Sequence, residues 1–588
     1  MRYETLCEYY TKIESTTKRL EMIDLLTSLF EETPTEIIDK VIYLTQGKLH
    51  PDWMGLPEIG MAEKMVVDAI SIAVGVRNSQ VEKNLLKTGD IGLTAEYETR
   101  EKRQKSFFAK PLTVEDVYNK LDKIAAASGP GSAGLKKRLF SGLLLSAKPV
   151  EAKFLARTVT GTLRLGIADM TILDTLAQAF AGGKENRPPI EKAYNLSSDL
   201  GYVAKTLAKE GIKAIERFAI EIGKPIRMMS AQRLTDPQEI LEKLRGRFAA
   251  EFKYDGERLQ IHKQGKTIKI FSRRLENITQ QYPDVVALTR SHIKAKEAII
   301  EGEVVAIDLD TGELRPFQEL MHRRRKYGIK KAMEEYPVSL FLFDGLFVDG
   351  KDLIKEPYPK RRAELAKIVK ANQRIRIADQ KFIESPKGLQ GFFDEAVKAG
   401  CEGLMAKSVN PDSIYQAGAR GWLWIKFKRE ALSELADTVD LVIVGAFMGR
   451  GRRAGTYGAL LLACYDPQND IFRTVAKVGS GFSDEELEAL PLRLKQFGIS
   501  HRHPRVDSQL DADIWFVPSL VLEVKGAEIT LSPTHTCGFD KIEKGSGLAI
   551  RFPRFTGNWR QDKAPEDATT EDEISQMYKM KLEKRKQS

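Results

Sequence analysis

Residues 251–258 have the sequence EFKYDGER in one-letter code, with one lysine between two acidic residues. If the segment is extended, Glu251 and Lys253 point to one side, and Asp255-Gly256 begins a turn. A lysine becomes a nucleophile only when its amine is neutral, which desolvation or nearby cations favour. A lysine that attacks phosphorus forms a phosphoramidate. As a bare pattern, Lys-x-Asp-Gly also occurs by chance and often marks only a β-turn.

The segment Trp422–Lys428 could supply such cations. Strand alternation places Trp424, Lys426 and Lys428 on one face, and the apolar residues between them on the other. Lysines are costly to bury without an anion. The segment is therefore either a solvated edge strand or a phosphate clamp beside a site.

The apolar spacing divides the chain into three parts. Up to about Gly223 it is mostly helical, and after Lys224-Pro225 the period changes to two. Residues 259–270 predict a hairpin with Gly265 in its turn, and further strands are predicted at 298–307, 338–343, 403–409 and 422–428. A second β-rich block follows from about residue 431, with strands at 439–447, 457–465, 472–478 and 520–524, and the tail from Ser575 predicts a helix. We predict domains at 1–223, 224–430 and 431–588.

Composition limits the class of protein. The chain has 588 residues, of which 42% are apolar and 30% charged. This composition is sufficient for a large hydrophobic core and excludes a chain that is disordered throughout. No apolar run approaches the roughly 18 residues of a membrane span. The four cysteines have no Cys-x-x-Cys spacing, which argues against a zinc ribbon and a disulfide framework. We expect a reduced, cytoplasmic protein with no membrane partner.

The net charge of +10 is unevenly distributed. By count, residues 1–100 carry about −6, 101–224 about +8, 225–430 about +10 and 431–588 about −2. A basic middle favours a polyanionic partner, with nucleic acid ahead of an acidic membrane. A lysine excess that only solvates the surface is the alternative.

Seven motifs occur in a fixed order along the chain. They are Lys253–Arg258, Ser272–Glu276, Glu301–Glu303, Leu342–Gly345, Glu402–Lys407, Trp424–Lys428, and Arg551–Phe555 with Arg560–Lys563. Together they resemble the ATP-dependent DNA ligases of the archaeal and eukaryotic replicative type, members of the covalent nucleotidyltransferase superfamily. The resemblance covers residues from about 190 to 580.

The resemblance implies a role for each motif residue. Lys253 would be adenylated by ATP, and Glu303 and Glu402 would orient Mg²⁺ or the ribose, with Mn²⁺ as an alternative metal. The implied ATP-binding residues are Glu251 at the adenine amino group, Phe343 stacked on the base, Arg258 and Arg273 at sugar and phosphate, Glu303 at the ribose, and Arg420, Lys426 and Lys428 at the phosphates. Arg258 would later meet the DNA 5′-phosphate. Glu301 is interpreted as a surface charge at a strand end, and Phe343 as a core residue is an open alternative.

The first part supports the DNA ligase branch. Residues 156–168 look like the segment by which the helical domain of these ligases holds the DNA backbone: Arg157 and Arg164 would meet phosphates, and Gly161 and Gly166 would permit close approach. An ordinary helix and turn with surface arginines is the alternative. Gln104, Phe107 and Phe108 resemble the peptide that docks on the sliding clamp, and a pair of core aromatics is the alternative.

The implied architecture is multidomain, α then α+β then β. It consists of a helical DNA-binding domain, a nucleotidyltransferase (ATP-grasp-like ligase adenylation) domain, and a C-terminal OB-fold barrel with a helical tail. Arg560, Asp562 and Lys563 of the barrel would swing over ATP to orient the leaving pyrophosphate, then swing away.

The implied function is sealing of 5′-phosphate/3′-hydroxyl nicks in duplex DNA, in replication, repair and recombination. The resemblance implies a monomer in the nucleoid of an archaeal cell, partnered by nicked DNA and a sliding clamp. The alternatives are an RNA ligase or a GTP-using capping enzyme, which the helical first part disfavours, and a catalytically inactive DNA-binding scaffold. An NAD-dependent ligase is disfavoured because a four-cysteine zinc module is missing from the sequence.

Overall fold

The computed structural model describes residues 1–16, 18–100, 110–163, 165–309, 311–315, 317–323, 328–428, 438–449, 456–526 and 528–587. The first part is helical, as the spacing predicted. Its helices are α1 (Tyr3–Ser15), α2 (Arg19–Glu32), α3 (Ile38–Thr45), α4 (Glu63–Val74), α5 (Asn78–Thr88), α6 (Ile91–Arg100), α7 (Val114–Ala126), α8 (Ser132–Ser146), α9 (Pro149–Val159), α10 (Asp169–Phe180), α11 (Arg187–Ser197), α12 (Leu200–Glu210) and α13 (Ile212–Ile215). One hydrophobic core runs through them from Tyr3 to Ile215, and α9 is buried from Glu151 to Val159.

The middle part is built on two sheets. Its strands are β1 (Ser230–Arg233), β2 (Phe248–Lys253), β3 (Glu257–Gln264), β4 (Thr267–Phe271), β5 (Glu297–Ala306), β6 (Val338–Val348), β7 (Lys351–Asp352), β8 (Ile375–Ile377), β9 (Gln380–Ile383), β10 (Gly403–Ser408) and β11 (Arg420–Lys428). One sheet has the order β1-β11-β10-β2-β9, and the other has the order β4-β3-β5-β6-β7, with β8 on β6. The predicted hairpin is β3–β4, and the turn is at Gly265 with φ +58°.

Six helices complete the described residues of the middle part. They are α14 (Pro237–Lys243), α15 (Pro283–His292), α16 (Phe317–Met321), α17 (Ile329–Glu335), α18 (Tyr358–Ile368) and α19 (Pro386–Lys398). Helix α19 illustrates how the sequence specifies an element: the Ser385 side chain caps it by accepting from the Gly388 N–H, and Pro386 occupies the first turn. Its apolar face, which includes Leu389, Phe392 and Phe393, packs into the core of the first sheet.

Strand register places the candidate site residues side by side. In the first sheet Met405 of β10 is paired with both Glu251 of β2 and Lys426 of β11. In the second sheet Arg258 of β3 is paired with Glu303 of β5. Because paired residues share a face, these side chains converge between the two sheets.

The last part is β-rich. Its elements are β12 (Thr438–Met448), β13 (Tyr457–Asp466), β14 (Ile471–Val478), α20 (Asp484–Leu494), β15 (Gly498–Ile499), β16 (Val506–Asp507), β17 (Ile514–Phe516), β18 (Val521–Lys525), β19 (Glu528–Ser532), β20 (Gly547–Arg551), β21 (Arg554–Trp559) and α21 (Glu571–Gln587). The main sheet has the order β15-β17-β12-β13-β14-β16, and β18 bridges β12 and β21. The four predicted strands and the C-terminal helix are thus confirmed. Among the described residues, no helix combines the length and apolarity that a membrane span requires.

Candidate active site

Two adjoining cavities lie between the sheets of the middle part and the C-terminal part. The first has a volume of about 150 Å³ and is lined by Ser230, Ala231, Glu251, Phe252, Lys253, Tyr254, Arg258, Arg273, Glu303, Phe343, Met405, Lys407, Arg420, Trp424, Lys426, Lys563 and Asp567. The second, of about 140 Å³, shares Lys253 with it and adds Glu402, Lys428, Asp440, Arg560 and Asp562 among others. The structure therefore brings together the residues that the ordered motifs singled out in the middle and last parts.

Lys253 stands at the end of β2, where the two cavities meet. Its ammonium contacts one carboxylate oxygen of Glu402, and the ammonium of Lys428 contacts the other. Burial opposes ionisation of Glu402, but the two lysines outweigh it and hold its pKa well below the usual range. The Glu402 N–H donates to the Lys253 carbonyl at 2.9 Å, which fixes the two residues relative to each other.

Glu251 lies at the inner end of the first cavity and is 2% exposed. One of its oxygens accepts from the Tyr358 hydroxyl and from Arg362, and the other lies 2.5 Å from the Lys407 ammonium. Sequence reasoning missed these three partners. Lys407 is the last residue of the motif Glu402–Lys407, and strand alternation, which puts it on the same face as Met405, is the signal that could have identified it.

Aromatic rings surround the Lys407 ammonium. It lies 4.6 Å from the ring centre of Phe343, 4.8 Å from that of Tyr358 and 4.5 Å from that of Trp424. Burial lowers the pKa of Lys407, while Glu251 opposes the shift. The rings supply cation–π attraction where water is excluded. Phe343 is half-buried and lines the cavity, so one part of its ring is available to a ligand.

Arg258 is held by a fully buried carboxylate. Its guanidinium donates to Glu301 at 2.8 Å and to the Met229 carbonyl at 2.7 Å. The interpretation of Glu301 as a surface charge was wrong: it is 0% exposed, because β5 is a central strand of its sheet. Burial opposes the charge on Arg258, and Glu301 outweighs it to raise the pKa of Arg258 above its usual value.

Glu303 lines both cavities, and its acidity is unusual. Burial raises the pKa of its carboxyl to about 8, although Lys253 and Arg258 pull it down. Among the described residues, no group of three His, Cys, Asp or Glu side chains could hold a metal ion. Glu303 and Glu402 are hard oxygen donors at one cavity and suit Mg²⁺ when a ligand supplies further oxygens.

Two acidic residues of the C-terminal segment neutralise the predicted phosphate-binding cations. Glu573 at the start of α21 lies 2.9 Å from the Lys426 ammonium and 3.6 Å from the Arg420 guanidinium. Asp567 lies 2.6 Å from the Arg273 guanidinium. Burial lowers the pKa of Lys426 to about 7, and Glu573 opposes this shift. Carboxylates of the last part of the chain are thus paired with cations that line the first cavity.

Arg560, Asp562 and Lys563 line the second cavity. Arg560 is paired on one edge with Asp562, at 2.8 and 3.0 Å, and on the other edge with Asp440 of β12. The Lys563 ammonium contacts the same Asp440 carboxylate. Burial lowers the pKa of Lys563 to about 8, which Asp440 opposes.

The predicted DNA-binding residues of the helical part separate into three groups. Gly161 and Gly166 have φ of +69° and +70°, so this segment makes two tight turns that favour glycine. Arg157 is 7% exposed and paired with Glu14 at 2.5 Å and Asp90 at 3.2 Å, so its guanidinium does not face outward as expected. Arg164 lies outside the described residues, and so do Gln104, Phe107 and Phe108.

Three family models match the chain. They are described as "DNA ligase N terminus" for residues 2–177, "ATP dependent DNA ligase domain" for 228–428, and "ATP dependent DNA ligase C terminal region" for 453–563. A protein called DNA ligase 2 from Thermofilum pendens is 56% identical over 98% of this chain and 97% of its own length. The DNA ligase of Hyperthermus butylicus is 52% identical, over 100% of this chain and 98% of its own length. A solved structure of mycobacterial DNA ligase D complexed with ATP and MES covers 58% of the chain at 25% identity and a TM-score of 0.32.

Proposed function

Because the chain belongs to the ATP-dependent DNA ligases, we propose that Lys253 is the residue that accepts AMP from ATP. The family inferred from the ordered motifs is confirmed by these matches. The protein is a DNA ligase that seals nicks through an adenylate intermediate. The assignment of individual residues below is our proposal.

The contact between Lys253 and Glu402 carries the proposal. Each oxygen of Glu402 takes one ammonium, so Lys253 is fixed at the junction of the two cavities. In the first step the Lys253 amine loses its proton and attacks the α-phosphorus. The N–P bond forms while the bond to pyrophosphate breaks. The next two steps pass AMP to the 5′-phosphate and then release it when the 3′-hydroxyl attacks.

The first cavity suits adenosine. Phe343 would stack on the base, and Glu251 would accept from the adenine amino group through the oxygen that faces Lys407. Arg273 and Arg258 would contact sugar and phosphate, with Arg258 later on the 5′-phosphate of DNA. The triphosphate would bind at Arg420, Lys426 and Lys428. Glu573 must then move away from Arg420 and Lys426, because its negative charge repels the phosphates.

Mg²⁺ is the metal that the site fits, with Mn²⁺ as an alternative. Glu303 and Glu402 would hold it together with phosphate oxygens. When bound it neutralises phosphate charge. Glu402 contacts Lys253 and Lys428 in the structure and therefore also keeps both ammonium groups near the reacting phosphate.

The other parts of the chain would hold the DNA. We propose that Gly161, Gly166 and Arg164 approach the phosphate backbone, and that the domain implied at 431–588 is an OB-fold with a C-terminal helical tail. The β12-β13-β14 meander, with β18 and β21 alongside, supports this. Gln104, Phe107 and Phe108 would dock on a sliding clamp, and the enzyme would act as a monomer in replication, repair and recombination.

A mass spectrum after incubation with ATP and Mg²⁺, without DNA, tests the residue assignment. We expect a gain of one AMP, mapped to Lys253 and discharged by nicked DNA. Lys253→Arg keeps the positive charge but is not a comparable nucleophile, so it should show no adduct with an unchanged melting temperature. An adduct that persists in this variant would contradict the assignment of Lys253.

A further inference from the structure

We propose that Asp440 is a positioning residue that holds Arg560 and Lys563 ready for adenylation of Lys253. The inference rests on the proposed function, because it assumes that pyrophosphate leaves through the cavity that these cations line. Asp440 lies on β12, in a different element from both cations, and was not among the residues that the motifs singled out.

The geometry is a shared carboxylate. The Arg560 Nη1 atom lies 3.1 Å from Asp440 Oδ1 and 3.2 Å from Oδ2, and the Lys563 ammonium contacts Oδ2. The side chain of Asp440 is only 13% exposed. Burial opposes its ionisation, but Lys563 and Arg560 hold the pKa of Asp440 well below its usual range, so it is charged at any working pH.

The backbone ties the same two segments together. The Asp440 N–H donates to the Thr569 hydroxyl at 3.0 Å, and the Thr569 N–H donates to the Asp440 carbonyl at 2.8 Å. The Arg560 N–H donates to the Val521 carbonyl of β18, the neighbour of β12. The segment from Arg560 to Thr569 is therefore hydrogen-bonded to the sheet at both of its ends, and the Asp440 side chain contacts Arg560 and Lys563 within it.

Asp562 cannot hold these two cations against the sheet in the way that Asp440 does. It pairs with the other edge of Arg560, at 2.8 and 3.0 Å, but it lies two residues away on the same segment. It can fix the rotamer of Arg560 relative to its own backbone. Of these two carboxylates, only Asp440 fixes the Arg560 guanidinium and the Lys563 ammonium relative to β12.

Positioning matters most when charge develops on the leaving group. Arg560 and Lys563 have long, rotamer-rich side chains, and ordering them during the reaction would cost free energy. Holding them beforehand makes them a preorganised partner for pyrophosphate. Neither AMP transfer to DNA nor attack of the 3′-hydroxyl releases pyrophosphate. Asp440 is therefore expected to matter for the first step and its reversal, and not for sealing of a nick that is already adenylated.

The test is Asp440→Asn, followed step by step. Single-turnover formation of the AMP adduct from ATP, and its reversal by pyrophosphate, should both slow by roughly 10- to 100-fold. Sealing of a pre-adenylated nick should change less than about twofold, whereas a merely structural defect would slow all three reactions. Asp507→Asn is the matched control, because Asp507 pairs with Arg473 at 2.6 Å in the same part of the chain, and it should leave all three unchanged.

A double-mutant cycle keeps the inference falsifiable. In an Arg560→Gln/Lys563→Gln background, Asp440→Asn should alter adduct formation less than about twofold, because no cation is left to position. If Asp440→Asn melts early, Asp440→Glu retains the charge and should recover part of the rate. Unchanged or faster adduct formation in Asp440→Asn would overturn the inference, as would equal loss in every step. A wild-type protein that forms no adduct would instead contradict the proposed function.

Discussion

The guanidinium of Arg258 lies 2.8 Å from the carboxylate of Glu301, which is completely buried between the strands on either side of β5. The other oxygen of Glu301 accepts from Gln260 at 3.2 Å, and the Tyr415 hydroxyl lies 3.0 Å from the oxygen that pairs with Arg258. Glu301 does not line the cavity itself, but it fixes the orientation of Arg258, which does. A buried charge of this kind is tolerated only because its partners satisfy it.

Replacing Glu301 tests whether the orientation of the Arg258 side chain affects the rate of AMP transfer to DNA. Glu301→Gln keeps the shape but removes the charge, so Arg258 loses its anchor. If Arg258 meets the DNA 5′-phosphate, AMP transfer to nicked DNA should slow by roughly 10-fold or more. Rapid-quench assays of each step measure this. Glu335→Gln removes a surface carboxylate that lies 3.6 Å from Lys331 and should have no effect. Normal transfer in Glu301→Gln would show that Arg258 needs no such support.

Glu573 should compete with ATP for its binding cations. It lies 2.9 Å from the Lys426 ammonium, so the triphosphate must displace it. Glu573→Gln removes the competing charge and should lower the KM for ATP in adduct formation by roughly threefold or more. Asp572→Asn, one residue away, removes the same charge from the same helix turn and should leave KM unchanged. An unchanged or higher KM in Glu573→Gln would mean that the phosphates bind elsewhere.

Phe343 should bind the adenine ring. A base stacked on an aromatic side chain gains about 1–3 kcal/mol, so Phe343→Ala should raise the KM for ATP by roughly 5- to 150-fold. Phe343→Trp keeps a stacking face and should stay within a few-fold of the wild type. Equilibrium binding of a fluorescent ATP analogue gives the same comparison without turnover. If the alanine variant binds normally, Phe343 is the core residue that the sequence also allowed.

The motif residues of the middle part that the sequence singled out lie together in the structure. Lys253, Glu402 and Lys428 are separated by up to 175 residues in the chain, yet they are in contact in the structure. All three belong to the ordered motifs, and for that reason they could be singled out from the sequence. Alternation alone put Lys426 and Lys428 on the cavity side of β11.

Residues whose partners are distant in the sequence were missed or misinterpreted. Glu301 was taken for a surface charge because nothing in one sequence shows that β5 has neighbours on both sides. Asp440 was missed because its partners Arg560 and Lys563 lie about 120 positions further along the chain. Glu573 was missed because its partners Lys426 and Arg420 belong to the middle part of the chain. Arg157 was read as a DNA contact because its carboxylate partners come from α1 and from the residue before α6, about 140 and 70 positions away.

Acid should destabilise the middle part through His262. Its Nδ1 accepts from the Gly223 N–H at 2.8 Å, so the ring is neutral, and burial lowers its pKa to about 3. The unfolded chain binds this proton below about pH 6.5. Stability is therefore fully present above that pH and falls by up to about 1.4 kcal/mol per unit as the pH drops towards 3.

Melting temperatures at a series of pH values from 7 to 4.5 measure the effect of His262. The His262→Gln variant should lose less of its melting temperature across this range than the wild type. His322 is exposed, so His322→Gln serves as the control and should keep the wild-type pH dependence. Parallel curves for His262→Gln and the wild type would show that the imidazole is not the group that titrates.

Arg157 should be a structural residue of the helical part and not a phosphate contact. Its guanidinium is buried between Glu14 and Asp90, so Arg157→Ala removes the cation beside the buried Asp90, leaves Glu14 paired with Lys153, and should cost about 3 kcal/mol of stability. Loss of a phosphate contact would instead reduce the slope of log affinity against log salt concentration by about 0.9. We therefore expect a lower melting temperature with an unchanged salt slope for nicked DNA. Arg100→Ala, which removes an exposed arginine of the same part, should change neither quantity, and a reduced slope in Arg157→Ala would restore its role at the DNA backbone.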